Sequence, residues 1–250
     1  MPPSAPPKRV RKSPEARRAE IVARAATIAL TEGLECITMR RVADDLAVRP
    51  GLISHYFPVA EELVAEAFGT AAGEELEELM PAERPAGSAL VSLAGFFARS
   101  TGPRYDDMSR LWLNARHLSR FRPVLAERVA VQEAAWRDRL TRLLREGAAE
   151  GTFHPEDPAV AAIQILVVLD GLGVHANTDR SDRPPAVTNM AVITAERALG
   201  LTPGSLLDLV DAARNAAPTP TAATPTPAPR TPPPTAPTTA RTPADTAPTA

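Results

Sequence analysis

The sequence predicts an all-α protein, and three observations predict it. Its apolar residues, 44% of the chain, are mostly Ala, Leu and Val, with only 4% aromatic, a supply suited to packed helices more than to sheets. Apolar positions recur at helical spacing in one segment after another from Pro14 to Gly200. Helix start and stop residues punctuate those segments, Ser13-Pro14-Glu15 and Thr38 at starts and Gly33 at a stop.

Residues 1–13 are Pro-rich and basic without periodicity, and read as a flexible arm. Ser13 caps the first helix, whose apolar face carries Ile21, Ala25, Ile28 and Ala29. Leu34–Ile37 is a short link, and Thr38 caps a second helix of about three turns with Val42, Ala43 and Leu46 inward. A brief turn at Ala47–Arg49 leads to Pro50 at the start of a third helix, in which Ile53 and Phe57 form an inward i, i+4 pair. Pro58 opens a fourth helix through Leu63, Val64, Ala67 and Phe68 towards Met80. Further helices are expected at roughly 85–100, 104–119, 121–150, 156–178 and 186–200. The segment 159–176 is apolar on nearly every side, which predicts burial from more than one direction. With a second stripe at Val187, Met190, Ile193 and Ala198 it suggests a helix pair at a dimer interface, the alternative being the core of one subunit. From Arg214 on, Pro, Thr and Ala dominate, and residues 215–250 are expected to be a disordered tail.

Charge is unevenly spread. Residues 1–24 carry seven Lys/Arg against two Glu, a balance of +5, and the remainder stands at −7. A basic end on an acidic protein suggests a polyanionic partner. Cys36 is the only cysteine, which excludes an internal disulfide and a cysteine metal cluster and favours a cytoplasmic setting. No signal peptide and no membrane-spanning run are expected.

Two short helices joined by a tight turn and braced by a helix on either side are the layout of a helix-turn-helix DNA reader. That layout assigns residues 14–70 to a reading head and gives its side chains work. Thr38, Arg40 and Arg41 open the second helix, where free N–H groups and cations can hold a phosphate. Arg49 and Pro50 begin the reading helix, and Gly51 permits close backbone approach. Leu52 is placed for a thymine methyl, and Ser54, His55 and Tyr56 can donate to bases or phosphates.

The stretch AEIVARAATIALTEGLECITMRRVADDLAVRPGLISHYFPVAEELVAEAF, residues 19–68, resembles the N-terminal domain of the TetR family of bacterial one-component regulators. GLISHYF resembles the subgroup that includes choline-sensing repressors of betaine synthesis. LLREGAAEGTFHPEDPAVAAIQILVVLDGLG, residues 143–173, is similar to the family's C-terminal domain, in which two long helices per subunit form a four-helix dimer interface. The resemblance implies a homodimer that binds a double-stranded, partly palindromic DNA operator and is released from it by a small-molecule inducer, with residues 74–200 sensing the ligand and dimerising. Three positions depart from the pattern. Ala47 stands where a glycine serves the turn, which implies a slightly altered turn or some strain; Arg49 replaces a small hydroxyl cap; and Ala60 stands where a lysine faces phosphate. The arm at Lys8–Lys12 is expected to offset the missing contact.

Phe96, Phe97, Tyr105, Trp112, His117 and Trp136 fall on the middle helices, where the resemblance puts the ligand pocket, though aromatics at helical spacing also build cores. Asp170 places a carboxylate in an apolar helix, to pair with His175 or to reach that pocket. An enzyme is the weaker reading. GxGxxG, GxxxxGK[ST] and HExxH are absent, the four histidines are scattered, and Asp44-Asp45 and Asp106-Asp107 read as solvated surface, so no catalytic residue, metal or cofactor is expected. The remaining alternative is a helical adaptor that has lost DNA binding.

Overall fold

The computed structural model describes residues 12–83, 87–101, 103–178 and 183–216, which are helical throughout and contain no strand. The arm up to Arg11 and the tail from Ala217 lie outside the described residues, so the expectations placed on them are not addressed by the fold.

Helix α1, Pro14–Glu32, begins as its sequence dictates: the Ser13 hydroxyl accepts from the Ala16 amide at 3.2 Å. It stops at Gly33, whose φ of 103° is open to glycine at little cost. A 3-10 turn, Leu34–Cys36, leads to α2, Met39–Asp45, capped by Thr38 accepting from Arg41 at 3.0 Å. Then come α3, Pro50–Tyr56, and α4, Ala60–Leu79. Ile53 and Phe57 are fully buried, as their spacing predicts. The fourth helix starts two residues after Pro58, with Val59 as an extended N-cap.

Next come α5, Ala89–Arg99, α6, Pro103–Ser119, α7, Pro123–Ala149, and α8, Pro158–Thr178. The helix expected at 186–200 is divided into α9, Pro185–Thr188, and α10, Met190–Ala198. The interruption falls at Thr188-Asn189, where the Thr188 hydroxyl bonds back to the Pro185 carbonyl at 3.1 Å, and such side chains compete with the helical ladder. A helix that the sequence reading left out follows: α11, Ser205–Ala216, packs on α5 and α10 and buries Leu206 and Val210 completely. The packed helices therefore run beyond residue 200. One hydrophobic core extends from Ile21 in α1 to Val210 in α11.

Helix α8 corrects one expectation. It is long and apolar enough to cross a membrane by length and composition, where no such run was expected. It is also not enclosed on all sides within one subunit. Ala161, Ala162, Ile165, Leu169 and Gly173 are buried, while Val160, Ile163, Val167 and Val174 stay exposed.

Candidate DNA-reading head and effector cavity

The small helix α3 holds its place because both neighbours brace it. Ile53 and Phe57 anchor it from below, and the Arg18 guanidinium of α1 lies 4.7 Å above the Phe57 ring while pairing with Glu66 of α4. The turn before α3 closes through Val48 N–H to the Ala43 carbonyl at 3.0 Å. Within it Ala47 has φ 51°, the only non-glycine residue with positive φ among those described. The strain expected from an alanine at this position is thus present in the backbone.

The opposite side of the two short helices is open. Thr38, Arg40, Arg49, Pro50, Gly51, Ser54 and His55 are exposed, and Leu52 and Tyr56 are half-buried. Nothing lies within 4 Å of where a Cβ on Gly51 would sit. The Arg40 side chain is 87% exposed, with Asp44 only loosely paired at 3.9 Å. Arg49 is the extended N-cap of α3, and the His55 and Tyr56 rings meet edge-on at 5.3 Å. Arg41 departs from its expected role. Its guanidinium is held by Glu32 at 2.6 Å and by Asp45, so it fastens α2 to α1 and is not free for a phosphate. Lys12, the one described residue of the basic arm, pairs with Glu20 at 2.8 Å. Ala60 is exposed at the first position of α4.

A second site lies among α4 to α8, a cavity of about 250 Å³. Five of the seven residues expected there line it: Phe96, Tyr105, Trp112, Trp136 and Asp170. His117 does not; it is exposed on the outer side of α6 with its ring 6.1 Å from Phe121. Phe97 is buried against Phe96 outside the lining. Asp170 pairs with Arg116, at 2.9 Å, rather than with His175. Arg116 also holds Glu133 at 3.0 Å and lies 5.1 Å over the Trp112 ring, whose indole N–H donates to the buried Glu75 at 2.8 Å. Apolar surroundings raise the Asp170 carboxyl above its ordinary range by desolvation, against the pull of Arg116, although half of that side chain remains open. Burial pushes the Tyr105 phenol up too, with Glu75 and Asp170 adding to it. Glu75, Arg116 and Glu133 escape a sequence reading because each gains its place through a partner on another helix.

A side chain of α6 also reaches the link between α1 and α2. Asn114 of α6 accepts from the Leu34 amide at 2.9 Å and donates to Glu35 at 2.8 Å, gripping the link between α1 and α2. Its neighbours on the same helix, Trp112 and Arg116, line the cavity.

Residues 95–199 match the family model described as the C-terminal domain of BetI-type transcriptional repressors. Solved structures share the fold. A candidate transcriptional regulator from Pseudomonas aeruginosa PAO1 is 23% identical with a TM-score of 0.62, over 80% of this chain and 96% of that one. A TetR-family regulator from Cytophaga hutchinsonii is 16% identical with a TM-score of 0.63, over 76% and 97%. The chain shares the all-helical fold of these regulators. A candidate regulator from Saccharomonospora viridis in complex with choline is 19% identical with a TM-score of 0.59, over 73% and 95%. No curated protein matches the chain. The family match covers α6 to α10 with part of α5, and does not include residues 14–70.

Proposed function

We propose that the protein is a ligand-responsive transcriptional regulator, a repressor that binds a partly palindromic operator as a homodimer and is released by a small-molecule inducer. The observation that carries this reading is the braced α3, whose inner side is sealed by Ile53 and Phe57 while Arg49, Gly51, Ser54 and His55 stand open for a major groove. Arg40 and Thr38 hold backbone phosphate, and Arg49 and Leu52 meet base edges. The exposed apolar face of α8 and Met190 of α10 pair two subunits, so that the two heads reach successive major grooves about 34–36 Å apart. The cavity takes the inducer. Asn114 then passes a shift of α6 to the head, and release follows only if the inducer favours the head spacing that misfits the operator. Choline is not the inducer we propose, because Arg116 already occupies the Trp112 face. The setting is cytoplasmic.

A second reading, an adaptor without DNA binding, is favoured by Ala60 and by the strained turn at Ala47. The deciding experiment titrates the purified protein on duplex from its own upstream region and on scrambled duplex across a salt series. A salt-sensitive preference for the upstream fragment at dimer stoichiometry is expected. A folded protein that binds neither duplex would turn the reading to the adaptor.

A further inference from the structure

Among the described residues, the buried side-chain nitrogens without a hydrogen-bond partner are Trp136 Nε1 and Arg214 Nε. Of the two residues, Trp136 lines the cavity. It is 9% exposed, so its N–H does not meet water from outside, and a buried donor is ordinarily satisfied. Neighbouring donors on the wall are already committed. The Trp112 N–H goes to Glu75 at 2.8 Å, and the Ser100 and Ser109 hydroxyls go to the carbonyls of Phe96 at 2.9 Å and Tyr105 at 2.8 Å. A guest that accepts a hydrogen bond therefore gains most at Trp136. The indole has a soft χ2 and the cavity beside it, so a small turn of the ring presents the N–H.

Charge on the guest is opposed in either sign. Glu75, Glu133 and Asp170 line the cavity against Arg116 and the exposed Arg137. Arg116 is spent on Glu133 and Asp170, so an anion would meet carboxylates whose inner counter-cation is taken. A cation would find Arg116 already 5.1 Å over the Trp112 ring, which Phe68 also meets edge-on at 5.0 Å. An aromatic guest has Phe96 and Trp136 to lie against, their rings 6.4 Å apart and tilted by 54°. The volume, about 250 Å³, falls between the roughly 150 Å³ that holds a benzene and the roughly 300 Å³ at which sites for drug-sized ligands begin. We propose that the cavity selects an uncharged aromatic molecule of one or two rings, carrying an oxygen acceptor such as a carbonyl that takes a hydrogen bond from the Trp136 indole N–H. This rests on the reading of the cavity as the inducer site, and it names the inducer's chemistry and the residue that sets specificity.

The chain has two tryptophans, Trp112 and Trp136, so the magnetic resonance spectrum of the isotope-labelled protein shows two indole N–H signals, assigned with Trp112→Phe and Trp136→Phe. Probes of one shape are titrated in the absence of DNA: indanone, neutral with a carbonyl; indane, neutral without one; protonated aminoindane; and indane carboxylate. Indanone is expected to move the Trp136 signal downfield while the Trp112 signal stays nearly still, and to bind more tightly than the other probes. Trp136→Phe, which keeps an aromatic ring, should weaken indanone by about five- to tenfold and leave indane unchanged. Circular dichroism checks that the variant is folded, and the wild-type ranking of probes decides the matter without it. Equal binding of indanone and indane, tighter binding of either charged probe, or no binding of indanone to the folded wild type would overturn the proposal. Indanone that shifts Trp136 and leaves operator affinity unchanged would confirm the site and fail the inducer reading instead.

Discussion

Ala47 is where one side chain bears most on the head. A left-handed conformation costs a residue with a Cβ about 1–2 kcal/mol, and Ala47 adopts φ 51° to close the turn between α2 and α3. Ala47→Gly is therefore expected to raise the stability of the protein by about 0.5–1 kcal/mol, the relief being partly offset by the greater freedom of an unfolded glycine. Urea denaturation measures this, and an unchanged or lower midpoint would show that the turn is not strained. Arg49 is the other residue on which the head turns. If its side chain reads a base, Arg49→Ala loses about 1–3 kcal/mol on operator DNA and relaxes preference at one position. An equal loss on every sequence would make it a phosphate contact.

Among the elements, α11 depends on a single carboxylate. Glu196 is buried, with 4% of its surface exposed, and accepts from the amides of Gly204 and Leu206 at 2.9 Å and of Leu207 at 3.2 Å. It does for the first turn of α11 what a capping side chain does locally, from the preceding helix. Glu196→Ala leaves those amides unpaired and is expected to cost about 1–3 kcal/mol, read as a lower thermal midpoint with α11 amides exchanging first. Helix α6 depends on Asn114 in a different way. Asn114→Ala frees the Leu34 amide, which should then exchange faster with solvent, while the cavity lining keeps its geometry and tryptophan emission stays unchanged. Unaltered exchange at Leu34 would remove the grip between α6 and the head from the mechanism.

For the whole molecule, the end of the core lies at α11. A chain ending after Ala217 should unfold at the same temperature as the full chain and bind DNA equally well. A chain ending at Pro203 uncovers the α5 surface under Leu206 and Val210 and should be unstable or aggregate. Thermal melts of both truncations check this, and a destabilised 1–217 chain would give the tail a part in the fold.

Local chemistry made the head legible in the sequence. Ser13, Gly33, Thr38 and Pro50 act within three or four residues of themselves, so they mark α1 to α3 without knowledge of anything distant. The alternation of buried and open positions in α3 follows from its own spacing, and so does the strain at Ala47, which needs only the turn. The cavity was legible in part, because aromatics at helical spacing announce an interior without saying which of them face a void. His117 belongs to the same pattern as Trp112 and yet points outward, since five residues along α6 turn a side chain well around the helix from its predecessor. Only the tertiary structure decided that Arg116 would meet Asp170 54 residues away, that Arg41 would be spent on Glu32, and that α11 would be capped by Glu196. Such pairings depend on how whole helices pack, and no local pattern encodes them.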